Sequence, residues 1–354
     1  MTVLDRYLGR QLLLGTLISL INLLTLLGVM NLFDELGDVG KGRYTAGYAF
    51  VYVMLGLPRY AYELFPIAAL LGSLAGLGAL ANNSELTAMR AAGVSLGRII
   101  LSMMRTGLVM MAAAFVLGEV VAPPAEEYAQ QMRSDLIAQQ ITLRSRYGFW
   151  ARDGLSFINI RKILPGAALE DIQIYEFDAG GRLKETTHAD FAQYQGDKWK
   201  LSGIRQTQIS EEGAKVKIMD ESTWTSLLNP DLLKVVVVKP HMQPVWGLYR
   251  YIRFMRDNGQ NPNQFEVAFW GKIFSPMVTL AMLFLSVPFL FGSMRTVSIG
   301  QRIFVGSLIG VVFFLLNKAV SYMAVVYGFN ALIAATFPGL AVLALAFWSM
   351  KRVH

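Results

Sequence analysis

The chain has no cysteine, which excludes disulfides, thiolate metal sites and a cysteine nucleophile. Charge is scarce: Asp, Glu, Lys and Arg make up 16% of the residues, where a soluble domain carries about 25%. Histidine occurs three times, as His188, His241 and His354, without metal-ligand spacing. No H-E-x-x-H or G-x-S-x-G occurs, and no G-x-x-x-x-G-K-[ST], so this chain binds no ATP through a P-loop. Adjacent carboxylates such as Glu126-Glu127 and Glu211-Glu212 sit in polar stretches and read as solvated surface rather than acid–base pairs.

What is abundant is apolar. Hydrophobic residues are 54% of the 354, and the mean hydropathy is +0.42. A membrane span needs roughly 20 apolar residues, and six stretches qualify: about Leu12–Phe33, Tyr48–Ala81, Ile99–Ala122, Val267–Phe291, Ile303–Tyr322 and Ala331–Met350. The first is too long for the core of a signal peptide, and Asp34, Glu35 and Asp38 follow it instead of a small-residue cleavage site, so it reads as an uncleaved helix. Six crossings put Arg6 and Arg10, Arg90 and Arg98, Arg295 and Arg302, and Lys351 and Arg352 on one side. The positive-inside rule makes that side cytoplasmic, with both termini there. The net charge of +7 therefore needs no nucleic-acid partner.

Between the third and fourth spans the texture changes. Pro123-Pro124 is expected to end the third span, and a polar, helix-compatible stretch continues to about Ala138. Short alternating runs follow, among them "YGFWAR", "LSFINIRKI", "DIQIYEFD", "KWKLSGI" and "AKVKIMDE". Turn residues fall at Asp153-Gly154, Asp178 to Gly181, Gly196-Asp197 and Glu211 to Gly213. This predicts an extracytoplasmic β-sandwich or jelly roll. "LYRYIRFMRDNG", residues 248–259, reads as an amphipathic helix at the outer interface.

The stretch "NNSELTAMRAAGVSLGR", residues 82–98, interrupts the apolar runs on the cytoplasmic side. Asn83 or Ser84 can cap a helix, and Glu85 falls in its first turn. Leu86, Met89, Ala92 and Gly93 recur at helical spacing and give one short apolar face ending in small residues. One reading is a re-entry turn lying on the membrane surface. The other is a helix that plugs into a groove on a separate ATPase.

"SELTAMRAAGVS" resembles the coupling-helix motif of the lipopolysaccharide export permeases, the paired F and G subunits of a Gram-negative ABC transporter. "VLDRYLGRQ", "FPIAALLGSLAGLGALANNSEL", "GEVVAP", "GFWARDG", "WGKIFSP" and "FGSMRTVSIGQR" are similar to the G-type pattern along the whole chain. Asn31 stands where related subunits often carry a lysine, and Gly37 and Asp38 where they carry basic residues; Lys41 and Arg43 are the nearest substitutes.

The resemblance implies an α-helical membrane protein with six transmembrane helices and a periplasmic β-jelly roll inserted between helices 3 and 4. Its regions would be 1–122 with a coupling helix at about 84–96, 123–265 for the β-domain, and 266–354. It implies the inner membrane of a Gram-negative bacterium, a homologous F-type permease partner, a cytoplasmic ATPase dimer and a single-span bitopic subunit. ATP and magnesium would sit on the ATPase, with no cofactor in this chain. The coupling surface would comprise Ser84, Glu85, Leu86, Met89, Arg90, Ala92 and Gly93. A phosphorylated glycolipid needs cations at the rim of an apolar cavity. Lys41, Arg43, Arg59, Arg133, Lys272 and Lys318 are the candidates for its phosphates, and Met30, Phe33, Phe65 and Phe313 for its acyl chains.

Plainer readings exist for several of these. Arg59 stands four residues before Glu63 and can be satisfied by it. Lys318 can snorkel, and methionines and phenylalanines in spans are mostly packing. Two other functions stay open: a sensor or assembly protein with a ligand-binding β-domain, and an ion-coupled lipid transporter. The second would need buried carboxylates, for which Glu63 and Glu119 are the candidates.

Overall fold

The computed structural model describes residues 3–137, 149–164, 168–178, 180–196, 198–210, 213–224, 240, 243–291 and 298–351. Arg295, Arg352, His241, His354 and the Glu211-Glu212 pair lie outside the described residues.

The apolar runs form helices that outlast them. α1 covers Val3–Leu36 and α2 Ala46–Asn82; the short α3 covers Glu85–Ala91 and α4 Leu96–Val116. α5 covers Ala122–Ile137, and after the β-domain come α6 (Val245–Asp257), α7 (Asn263–Phe291), α8 (Ile299–Tyr327) and α9 (Ala331–Met350). Among the described residues, six helices are long and apolar enough to cross a membrane. The expected stop at Pro123-Pro124 is corrected: the chain stays helical from Leu96 to Ile137. A π-helical turn at Leu117–Val121 takes up the discontinuity, and the two prolines stand in the first turn of α5, where a missing N–H costs least.

α2 lies at the centre, with 72% of its most apolar stretch buried, whereas 28% of that of α1 and 17% of that of α8 are. α1 and α2 meet backbone to backbone. A methyl group at Gly15 would fall on the Gly72 carbonyl, one at Gly72 on the Thr16 backbone, and one at Gly76 on the Gln11 carbonyl. Glycine at these three places is a packing requirement.

The inserted β-domain is jelly-roll-like. Its described strands form one antiparallel sheet in the order β1-β2-β3-β4-β5-β6: Phe149–Asp153, Ser156–Leu164, Ala168–Phe177, Leu183–Tyr194, Trp199–Ser210 and Gly213–Trp224. The four ladders from β2 to β6 each skip one position on the same line across the sheet, at Arg161, Asp171, Asp190, Gly203 and Asp220. Asp171 and Gly203 have φ of 57° and 64° there. The inward alternation slips by one residue at this line: Leu169 gives way to Ile172, Ala189 to Ala192 and Leu201 to Ile204, all in one core with Trp199. A strand that keeps its period of two through a bend would turn its apolar residues out; the skipped position keeps them in, with a positive φ at it in β3 and β5 but not in β4. The sheet is thus creased over its own core. α6 closes it from the bundle side, with Phe254 against that core and Asn258 Oδ1 accepting the Gly154 N–H at 3.1 Å.

Candidate functional site

Two groups of candidate residues stand at opposite ends of the bundle. At one end is α3. Ser84 occupies its N-cap position with φ of 60° and no side-chain cap hydrogen bond, so the expected side-chain cap is absent. The C-terminus is better defined. Gly93 N–H donates to Arg90 O at 3.0 Å and Val94 N–H to Met89 O at 3.1 Å, a Schellman closure with Gly93 at φ 87°. Gly93 is therefore required first by the backbone.

The apolar face of α3 turns inward. Leu86 is 3% exposed in a core cluster with Leu8 and Leu12 of α1, against which Met89 and Val94 also pack. What faces outward is Ala88, Arg90, Ala91, Ala92 and Gly93, a surface of small residues with one arginine. Glu85 is half-buried, and its Oε2 accepts the Tyr7 hydroxyl at 2.7 Å.

At the β-domain end the rim cations come with carboxylates. Arg59 binds Glu63 and Glu126, each at 3.1 Å; the first is the i,i+4 pair legible in the sequence and the second is 67 residues away. Lys318 lies 3.6 Å from the other Glu63 oxygen. Arg133 joins Glu35 at 3.1 Å and Asp38, and Asp38 also holds Lys41. The Lys41 contact is the foremost cause holding the Asp38 carboxyl below its ordinary range, with Arg133 adding to it. Tyr44 donates to Glu35 at 3.0 Å; burial and this carboxylate push its phenol up. Arg43 is exposed and forms no ion pair among the described residues. Asn31 accepts from Tyr60 at 2.8 Å.

Lys272 is the most enclosed of these cations. Its ammonium lies 2.9 Å from Glu119, with side chains 8% and 12% exposed. The other Glu119 oxygen accepts the Val245 N–H of α6 at 2.6 Å. A lysine on α7, a glutamate in the π turn and the N-terminus of the helix that carries the β-domain thus meet at one point. Tyr62 of α2 completes it, donating to Lys272 O at 3.0 Å, with its ring where a methyl group on Gly118 would fall.

Arg59, Lys272, Lys318 and Phe313 line one cavity of about 560 Å³ between α2, α5, α7 and α8, a size within the range of small-ligand pockets. Lys41, Arg43 and Arg133 belong to a separate cluster around the end of α1. Met30 and Phe33 are exposed on that helix, 56% and 71%. Phe65 packs inside the bundle against two core clusters. The proposed lipid residues are therefore two surfaces, not one. Glu119, Glu35 and Glu126, their internal partners, carry no sequence signal of that role, being separated from the cations by 67 to 153 residues.

The sequence model of the family "Lipopolysaccharide export system permease LptF/LptG" matches residues 6–352. The chain belongs to this family. Among its curated relatives, the Lipopolysaccharide export system permease protein LptG of Haemophilus influenzae is 34% identical over 351 residues, covering 99% of this chain and 98% of that protein. The protein of the same name from Escherichia coli K12 is 32% identical over 353 residues, with the same coverage. This chain thus covers nearly all of both relatives, and it places Asp38 between two of the basic residues at the rim.

Proposed function

We propose that this chain is one permease subunit of an ATP-driven ABC transporter that draws lipopolysaccharide from the outer leaflet of the inner membrane and passes it to a periplasmic bridge. Membership of the family along residues 6–352 carries this reading, since the relatives matched at full length are named as export permeases for that lipid. The β-domain is periplasmic and both termini are cytoplasmic, in keeping with the arginines at the α3 end. A homologous F-type permease covers the apolar faces of α1 and α8, which this chain leaves exposed. An ATPase dimer, holding ATP and magnesium, takes α3 in its groove, and a single-span subunit with its own jelly roll receives the cargo. Hydrolysis belongs to the ATPase.

Lipid phosphates meet the Lys41, Arg43 and Arg133 cluster, and acyl chains lie along Met30 and Phe33. Ion-coupled transport is disfavoured by geometry: Glu63 and Glu119 each already face a cation within 3.6 Å. The test is purification from native membranes, with photo-crosslinkers at Arg43 and Phe33. Copurification of a P-loop ATPase and capture of lipopolysaccharide at both positions supports the reading. An ATPase-free complex, or capture of phospholipid alone at both, overturns it.

A further inference from the structure

Glu85 is the one carboxylate of the expected coupling surface, yet one of its oxygens is already taken. Tyr7 reaches it across 78 residues of chain with an O···O distance of 2.7 Å. The contact is one of three that fasten this end of α1. Leu8 and Leu12 bury against Leu86 in a common cluster. On the neighbouring flank Asp5, 3% exposed, lies 3.5 Å from Arg105 of α4. Two turns further along, α1 crosses α2 with backbones touching at Gly15, Gly72 and Gly76. Beyond the crossing α1 runs to Glu35, which holds Arg133. From Tyr7 to Glu35 the helix spans about 42 Å at 1.5 Å per residue. One continuous rigid element thus joins the α3 carboxylate to the cluster at the far end.

We propose that Tyr7 is a positioning residue for transport: its hydroxyl bond to Glu85 ties movement of α3 to α1, which carries that movement past the glycine crossing to the lipid end. Of the contacts between α3 and α1, the apolar ones are non-directional and let the two elements slide. The hydroxyl–carboxylate bond is directional and sets register. A carboxylate accepts through two oxygens, so Glu85 can keep Tyr7 on Oε2 and offer Oε1 to a cation on the partner. The inference rests on the reading of α3 as the ATPase contact.

The test uses the whole complex in proteoliposomes with purified lipopolysaccharide and ATP. Tyr7→Phe removes one oxygen and keeps the ring. Attachment of the ATPase and its hydrolysis rate are expected to stay within about twofold of wild type, while lipopolysaccharide extracted per ATP falls several-fold. Because the chain has no cysteine of its own, spin labels at Arg10→Cys and Thr87→Cys, attached before assembly with the partner subunits, report the α1–α3 distance. That distance should be single and narrow with Tyr7 and broadened with Phe. Unchanged lipid per ATP in Tyr7→Phe, with the ATPase attached, overturns the role of Tyr7 and leaves the coupling reading standing. A wild-type complex that binds no ATPase overturns both.

Discussion

The two ends of the helical bundle hold most of their charge in different ways. At the α3 end Arg6, Arg10, Arg90 and Arg98 are exposed and form no ion pair among the described residues, while Arg105 pairs with Asp5 and Arg302 is buried. At the β-domain end Lys41, Arg59, Arg133, Lys272 and Lys318 all face carboxylates of the same chain. Free cations in water cost nothing to hold, and they suit a surface that sets orientation and meets a soluble partner. Cations beside apolar helices are costly unless paired, so at the second end all of the named cations but the exposed Arg43 are held by carboxylates until something charged arrives. One end is ready to bind, and the other must exchange partners to do so.

The largest effect that can break this contrast is at Lys272. Replacing it by Ala leaves Glu119 enclosed with only the Val245 N–H. Removal of one member of a buried pair costs about 3–5 kcal/mol. Thermal unfolding of the purified complex should show that loss, and proteolysis should cut sooner around α6. Lys272→Met with Glu119→Leu should recover part of it, because neither charge is then stranded. Arg90→Ala at the other end should stay within about 0.5 kcal/mol. If Lys272→Ala unfolds like wild type but loses lipid capture, Lys272 is a phosphate ligand and the paired-end account fails there.

How much of this was legible in sequence depended on distance along the chain. The six spans were, because a run of apolar residues as long as a bilayer is thick has few other readings. Their ends were not: α1 continues to Leu36 and the helix of the third span to Ile137, past the residues that carry hydrophobicity. The proline pair misled because its position within a helix turn, not its presence, decides whether it breaks the helix. β4 was not singled out, since its inward positions are Glu185, Thr187 and Ala189 and give no apolar alternation. Gly203 inside "KWKLSGI" was a fair hint of the crease, as glycine within a strand marks a bend. The cations themselves were readable from type and place. Their partners were not, apart from Glu63, because Glu35, Glu119 and Glu126 reach them only through the packing of separate helices. Likewise nothing in "SELTAMRAAG" points to Tyr7.

A smaller effect sharpens the α3 side. At Gly93 the φ of 87° is one that L residues adopt only with strain, and nothing lies within 4 Å of an added Cβ. Gly93→Ala therefore tests the backbone alone, at a cost of about 1–2 kcal/mol. That cost falls on a helix of seven residues, so the expected result is a weakening of ATPase attachment by roughly 5- to 30-fold. Gly97→Ala, equally open but within the first turn of α4, is the control and should be neutral or better. Equal attachment in both variants would mean that the closure of α3 is irrelevant to its partner.

The smallest effect concerns the exchange of partners at the other end. Asp38 and Arg133 are 25% and 30% exposed, so their pairing is worth about 0.2–1 kcal/mol, a surface value. Asp38→Asn keeps the shape and removes the charge that competes with a phosphate for Arg133 and Lys41. Capture of lipopolysaccharide by a photo-crosslinker at Arg43 should then rise, by no more than about fivefold. Proton concentration cannot do the same near neutrality. The Asp38 carboxyl is held below its ordinary range, so its pairing is complete above about pH 4 and is lost only as pH falls through that lowered value. Capture by the wild type should therefore be flat with respect to this group from about pH 5 to 8. The Asp38→Asn gain should be present across the same interval. An Asn variant that captures less would show that Asp38 helps to hold the lipid rather than competing with it, and a wild-type capture that climbs as pH drops toward 5 would show that its carboxyl is not held below the ordinary range.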